Sequence, residues 1–106
     1  MDLVGFLFGK RNDPVSLAIE EALNLLEERR FDEALAVIRE KALAREPRNR
    51  RALLHLGVCH MLKGEFDEAE EILNPIASLK PMDSEVAAAR IALDKIAADR
   101  RKMNGQ

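Results

Sequence analysis

The sequence predicts an all-α fold, a short solenoid of about five antiparallel helices. The tetrapeptide Phe-Asp-Glu-Ala occurs twice, beginning at Phe31 and at Phe66, and each copy is followed by an apolar helical pattern and then a proline, Pro47 or Pro81. The phenylalanines are 35 residues apart and the prolines 34. A period near 34 residues is typical of helical repeat arrays. The same structural unit is therefore expected twice.

Length and composition exclude several classes of protein. At 106 residues the chain forms one domain, expected over residues 13–102. The net charge of −2 and the absence of Trp and Tyr disfavour nucleic acid as a partner, because nucleic-acid-binding domains usually carry a positive excess and stack bases on aromatic side chains. Cys59 is the only cysteine, so no intramolecular disulfide can form and nothing indicates an oxidising compartment.

Residues 1–12 are an apolar and basic N-terminal tail. We expect its large apolar residues to dock on a surface: Leu3, Val4, Phe6, Leu7 and Phe8. The run is too short for a secretory signal or for a membrane span, which needs roughly 20 apolar residues, so we expect a cytoplasmic protein. Three docking sites are open: the chain's own apolar surface, a partner subunit, or a bilayer that Lys10 and Arg11 would meet at anionic lipid. The last two would place the protein at the periphery of a membrane complex.

Two helices are expected before the first proline turn. Asp13 can cap a first helix over residues 14–30, and Pro14 suits its first position because the missing N–H would have no intrahelical partner. Phe31 begins the second helix. Pro47 ends it, because a proline disfavours helical geometry in the residue before it.

Three further helices follow. The third is expected over residues 50–63 with Gly64 as its C-terminal cap, and the fourth over residues 66–79 with Pro75 inside it. Asp83 or Ser84 caps a fifth helix that reaches about residue 101. This helix has one apolar and one charged face, as a terminal capping helix of a solenoid requires. Residues 103–106 are expected to fray.

The second unit resembles the tetratricopeptide repeat, which reads W-x2-L-G-x2-Y, then A-x3-F, then P over 34 residues. Residues of this sequence stand at the same spacing: Leu53, Leu56, Gly57, His60, Ala69, Leu73 and Pro81. Gly64 and Phe66 also stand where the family places a glycine and an aromatic residue. The resemblance implies a right-handed solenoid in which Gly57 and Ala69 let two helices cross closely.

The first unit matches the same pattern more loosely. Ala22 takes the glycine position, Arg29 replaces the turn glycine, and one extra residue lies between Ala34 and Pro47. The resemblance divides the domain into two repeats and a capping helix, with approximate bounds 15–48, 50–83 and 84–101.

Members of this family typically line a concave groove with the first helix of each repeat, which implies a protein-binding site in this chain. The positions carried over from the family as partner-binding are Ile19, Leu23, Leu26, Arg51, Leu54, His55, Val58, Met61, Ala88 and Ala92. Relatives that clamp a terminal carboxylate use Lys, Asn and Arg in the groove. Apolar residues stand there in this chain, so the resemblance implies an apolar groove floor and no carboxylate clamp.

We expect no catalytic, cofactor-binding or metal-binding residues and no cofactor. His55, Cys59 and His60 lie close together on one helix, but a structural zinc site needs four ligands and the chain has no further cysteine or histidine. No Gly-rich phosphate loop, nucleophile elbow or paired-carboxylate motif occurs.

An apolar groove needs something to cover it, because monomeric soluble proteins seldom expose large contiguous apolar patches. The sequence therefore predicts a non-enzymatic protein–protein interaction module, an adaptor, scaffold or small chaperone whose groove binds an apolar helical or extended segment. The alternative is a structural role: a self-associating subunit forming a homo-oligomer, or an accessory subunit of a larger complex, soluble or membrane-associated, docked through the tail. An array of fewer than about three repeats is marginal alone, which favours outside help.

Overall fold

A computed structural model describes residues 13–105 of the chain. Within these residues the chain forms five helices and no strand, which confirms the all-α helical-repeat fold. The helices are α1 Pro14–Glu27, α2 Phe31–Val37 with a π-helical continuation Ile38–Leu43, α3 Arg50–Leu62, α4 Phe66–Ala77 and α5 Ser84–Met103. We call the continuation of α2 the π segment.

Three helices begin at a capping side chain. Asp13, Asn49 and Asp83 precede α1, α3 and α5, and each accepts a hydrogen bond at 2.9–3.0 Å from the backbone amide three residues on. These amides have no acceptor within their own helix, so the caps fix where the helices start. Asp83 rather than Ser84 caps α5, and α5 continues past the expected end to Met103.

The turns between the two helices of each unit use a left-handed residue. Arg29 has φ of +62° and Gly64 has φ of +80°, and they are 35 residues apart. This conformation stops the preceding helix, so α1 ends at Glu27 and not near Arg30 as expected. Arg29 therefore does take the place of the turn glycine, in a conformation that costs any residue with a Cβ about 1–2 kcal/mol.

The extra residue of the first unit lies in the π segment. There the Ala44 amide donates to the carbonyl of Arg39 at 3.0 Å, five residues earlier rather than four. At a given point in a helix, a π-helical turn contains one more residue than an α-helical turn would. The insertion between Ala34 and Pro47 is thus absorbed without moving Pro47 out of its place at the end of the unit.

Most of the buried apolar residues in the described part of the chain fall into two clusters, one for each unit. The first joins α1, α2, the π segment and α3 around Ile19, Ala34 and Ile38. The second joins α3, α4 and α5 around Ala69, Leu73 and Ile96. Ala34 and Ala69, the alanines of the repeated tetrapeptide, are both fully buried. The tetrapeptide therefore begins the second helix of each unit and sets its closest contact with the core.

Two arginines fix the direction of α5. Arg50 at the start of α3 pairs with Asp83 and Glu85 at the start of α5, at 2.5 and 2.7 Å. Arg100 near the end of α5 pairs at its Nη2 with Asp67 and Glu70 in the first turns of α4. α5 is consequently parallel to α3 and antiparallel to α4, the place that the first helix of a third unit would take.

Candidate protein-binding groove

Four apolar side chains occupy equivalent positions on α1 and α3, which contact each other. Leu23 and Val58 are 35 residues apart, and so are Leu26 and Met61. All four are half-buried. Leu23 and Leu26 pack at the edge of the first core cluster, and Met61 packs at the edge of the second. Among the described residues, Val58 belongs to neither cluster. We call these four side chains the groove residues.

Three residues expected in the groove lie in the core instead. Ile19 is 1% exposed and belongs to the first cluster; Leu54 is 5% exposed and Ala92 is 6% exposed, and both belong to the second. In an array this short, these positions are used for packing between neighbouring helices. Little of the surface of these three side chains is left for a partner, because the chain's own side chains cover it. That they contact a partner stays a prediction.

The remaining expected residues stay accessible and add polar groups to the groove. Arg51 is exposed, and His55 and Ala88 are half-buried. Burial lowers the pKa of His55, and the positive charge of Arg51 lowers it further. The imidazole is therefore neutral at pH 7, which leaves Arg51 as the one cation among the residues expected to contact the partner.

A comparison with family models bears directly on this architecture. The model of the tetratricopeptide repeat matches residues 25–93, which extend from the end of α1 into α5. The chain belongs to the tetratricopeptide repeat family. Searches of curated proteins and of solved structures gave no significant match. Tetratricopeptide repeats generally mediate protein–protein interaction and are typically not enzymes, which makes the groove the first place to look for function.

The tail lies outside the described residues. Its expected docking residues, Leu3, Val4, Phe6, Leu7 and Phe8, are therefore known here from the sequence alone. Within residues 13–105, no helix combines the length and apolar character that crossing a membrane would need.

His60 stands at the tyrosine position of the tetratricopeptide repeat and has a structural role. Its Nδ1 lies 2.7 Å from Oε1 of Glu65, and its Nε2 lies 3.1 Å from Nη2 of Arg39. A guanidinium can only donate, so Nε2 is the acceptor and Nδ1–H donates to Glu65. This hydrogen bond holds the pKa of Glu65 below its usual value. The ring thus links the π segment, α3 and the turn before α4.

The aspartates of the repeated tetrapeptide form ion pairs between units, a role that the sequence reasoning missed. Asp32 at the start of α2 pairs with Lys63 after α3, and Asp67 at the start of α4 pairs with Arg100 of α5. In each case the second helix of one unit is tied to the end of the following first helix. A basic residue 31 to 33 positions after each aspartate was the available signal.

Cys59 is inaccessible to solvent. Its side chain is fully buried in the first core cluster, and burial raises the pKa of the thiol to about 11. Among the described residues, no three His, Cys, Asp or Glu side chains are arranged so that they could hold a metal ion.

Proposed function

We propose that this tetratricopeptide repeat protein is an adaptor or small chaperone that binds an apolar or amphipathic segment of another protein against the groove residues. The observation that carries the proposal is the placement of Leu23, Leu26, Val58 and Met61 at equivalent positions of two neighbouring first helices, each half-buried. Apolar anchors that recur at i, i+3 along a helix suit an amphipathic helix laid across them.

The chemistry of the surface restricts the kind of segment. A bound terminal carboxylate would need several convergent donors, and Arg51 is the one permanent cation among the expected groove positions. Burial of apolar area therefore supplies most of the attraction, at roughly 25 cal/mol per Å². Arg51 at the edge would fix the orientation of the bound segment by pairing with an acidic residue that flanks its apolar stretch.

The test is selection of binding peptides from a random displayed library on the purified full chain. We expect the selected peptides to share spaced large apolar residues. Their affinity should fall more than tenfold when Leu23→Glu and Val58→Glu are combined, because two carboxylates would then be buried without partners. The far-ultraviolet circular dichroism of the variant should match that of the unaltered chain. If the Glu pair lowers helicity, Leu23→Ser with Val58→Ser takes its place.

The matched control combines Leu17→Glu with Leu79→Glu. Both leucines are exposed and lie outside the groove, so this variant gains the same charge and, like the groove variant, loses two aliphatic side chains. Peptide binding should be unchanged in the control. Equal binding by the groove variant and the unaltered chain would contradict the proposal. A narrow set of selected sequences would indicate an adaptor, and a broad apolar set a chaperone.

A further inference from the structure

We infer that residues 3–8 of the same chain occupy the groove in the free protein and that a partner segment must displace them. The inference rests on the proposed function, since it names the regulation of that site. Two complementary features support it. The four groove residues are apolar and half-buried, and the tail just before α1 carries five large apolar residues: Leu3, Val4, Phe6, Leu7 and Phe8. If the groove and the tail were both exposed to water, the free energy of hydrating their apolar area would be unfavourable.

The length of the tail allows the contact. The described chain begins at Asp13, the cap of α1, and Leu23 lies ten residues along that helix, about 15 Å away. Phe6 stands seven positions before Asp13, and an extended chain covers up to about 23 Å over seven positions. Gly9 lies between them and can adopt the backbone conformations that a reversal of direction needs. Phe6 can therefore lie over Leu23 and Val58 without strain on α1.

Charge favours the same arrangement. α1 contains three glutamates, Glu20, Glu21 and Glu27, and no basic residue. Lys10 and Arg11 precede it in the tail, so a tail folded back along α1 carries its two cations past an acidic helix. Attraction between exposed charges over these distances is weak and is screened above about 0.1 M salt. It selects the path of the tail, while the apolar contacts supply the affinity.

The tail of the same chain is favoured over the tail of a second copy by its local concentration. A short flexible linker holds its segment at an effective concentration in the millimolar range. At the micromolar concentrations of ordinary measurements, the intramolecular contact therefore forms first. A partner then meets a groove that is open only part of the time, and its apparent affinity falls by the fraction that is open.

The test is disulfide trapping in the full chain. Phe6→Cys is combined with Val58→Cys in one variant and with Ile91→Cys in the control, and Phe6→Cys alone gives the background. Ile91 is 69% exposed and is not among the expected groove residues, so its cysteine is the more accessible of the two. Cys59 is fully buried and adds no background. We expect an intramolecular disulfide for the Val58 pair under mild oxidation and none for the Ile91 pair. Equal trapping at both sites, or links between copies only, would overturn the inference.

Peptide binding separates this inference from the proposed function. A full chain with Leu3, Phe6, Leu7 and Phe8 each replaced by Ser should bind the selected peptides about tenfold more tightly than the unaltered chain, because its groove is no longer occupied. Trapping without peptide binding by the Ser variant would contradict the proposed function and leave the tail contact established. Peptide binding of equal strength in both chains, without trapping, would overturn the tail contact alone.

Discussion

Gly57 of α3 lies so close to Leu73 of α4 that a Cβ built on Gly57 would be 2.7 Å from both Cγ and Cδ2 of Leu73. Leu73 is fully buried, so it has little room to move away. The equivalent position of the first unit is Ala22, which is fully buried without such a conflict. The two units thus differ in how closely their helices cross, although they share a pattern.

Gly57→Ala should lower the free energy of unfolding by about 1–2 kcal/mol, because the overpacking cost of up to about 3 kcal/mol exceeds the gain in helix propensity of about 1 kcal/mol. Alanine is the better helix former by about 1 kcal/mol, so any loss of stability must come from the close contact with Leu73. The converse change, Ala22→Gly, should also destabilise, by about 2 kcal/mol, because it removes a buried methyl group and lowers helix propensity, each worth about 1 kcal/mol. Urea unfolding followed by circular dichroism measures both. A Gly57→Ala variant as stable as the unaltered chain would contradict the close crossing.

The left-handed turns give a second prediction. Gly64→Ala should destabilise by about 1 kcal/mol, since nothing within 4 Å of the added Cβ can clash and only the backbone conformation is penalised. At Arg29 the comparison is between Arg29→Gly and Arg29→Ala. Both remove the contact of the guanidinium with the Phe31 ring, so the difference between their unfolding free energies measures the cost of the left-handed backbone conformation. The glycine variant should be the more stable by about 1 kcal/mol. Equal stability would mean that φ of residue 29 is not positive in solution.

The hydrogen bonds of His60 predict a particular tautomer. Nitrogen-15 NMR of the imidazole should show a proton on Nδ1 and none on Nε2 at neutral pH, because Nε2 accepts from Arg39. Arg39→Met removes this donor and should allow the other tautomer to appear. The matched control is Arg45→Met, an exposed arginine nearby in sequence. A proton found on Nε2 in the unaltered chain would be inconsistent with the link between the π segment and α3.

His55 makes stability depend on pH in a defined window. Its folded pKa lies below the unfolded value of about 6.5, so the unfolded state binds more protons as the pH falls through that value. Stability is therefore fully present above about pH 6.5 and declines as the pH falls toward the folded pKa. His55→Gln should flatten this part of the profile, and Arg51→Gln should raise the pKa of His55 as measured by NMR titration. A profile that His55→Gln leaves unaltered would contradict the burial of the ring.

The sequence predicted those features that depend on local chemistry. The spacing of Phe31 and Phe66 gave the repeat, and Asp13 and Pro14 gave the first helix start, because caps and prolines act within a few residues. The location of the extra residue was predicted, but not that a π segment absorbs it. That outcome depends on how the second helix packs against α1 and α3, and local helix propensity does not determine this packing.

The groove was predicted only in part for a similar reason. Leu23 and Ile19 look alike in the repeat pattern, yet Ile19 is in the core and Leu23 is half-buried. The difference is set by which neighbouring helix covers each side chain. In an array of two repeats and one further helix, every helix has a different set of neighbours, so a pattern averaged over long arrays does not show which of these positions are buried.

The central claim is that Leu23, Leu26, Val58 and Met61 bind an apolar segment. The most direct measurement is a methyl NMR titration of the full chain with a library-selected peptide. We expect the methyl signals of these four residues to shift together and saturate, while those of Leu17, Leu79 and Ile91 stay in place. Shifts confined to Leu17, Leu79 or Ile91, with the four groove residues unaffected, would contradict it.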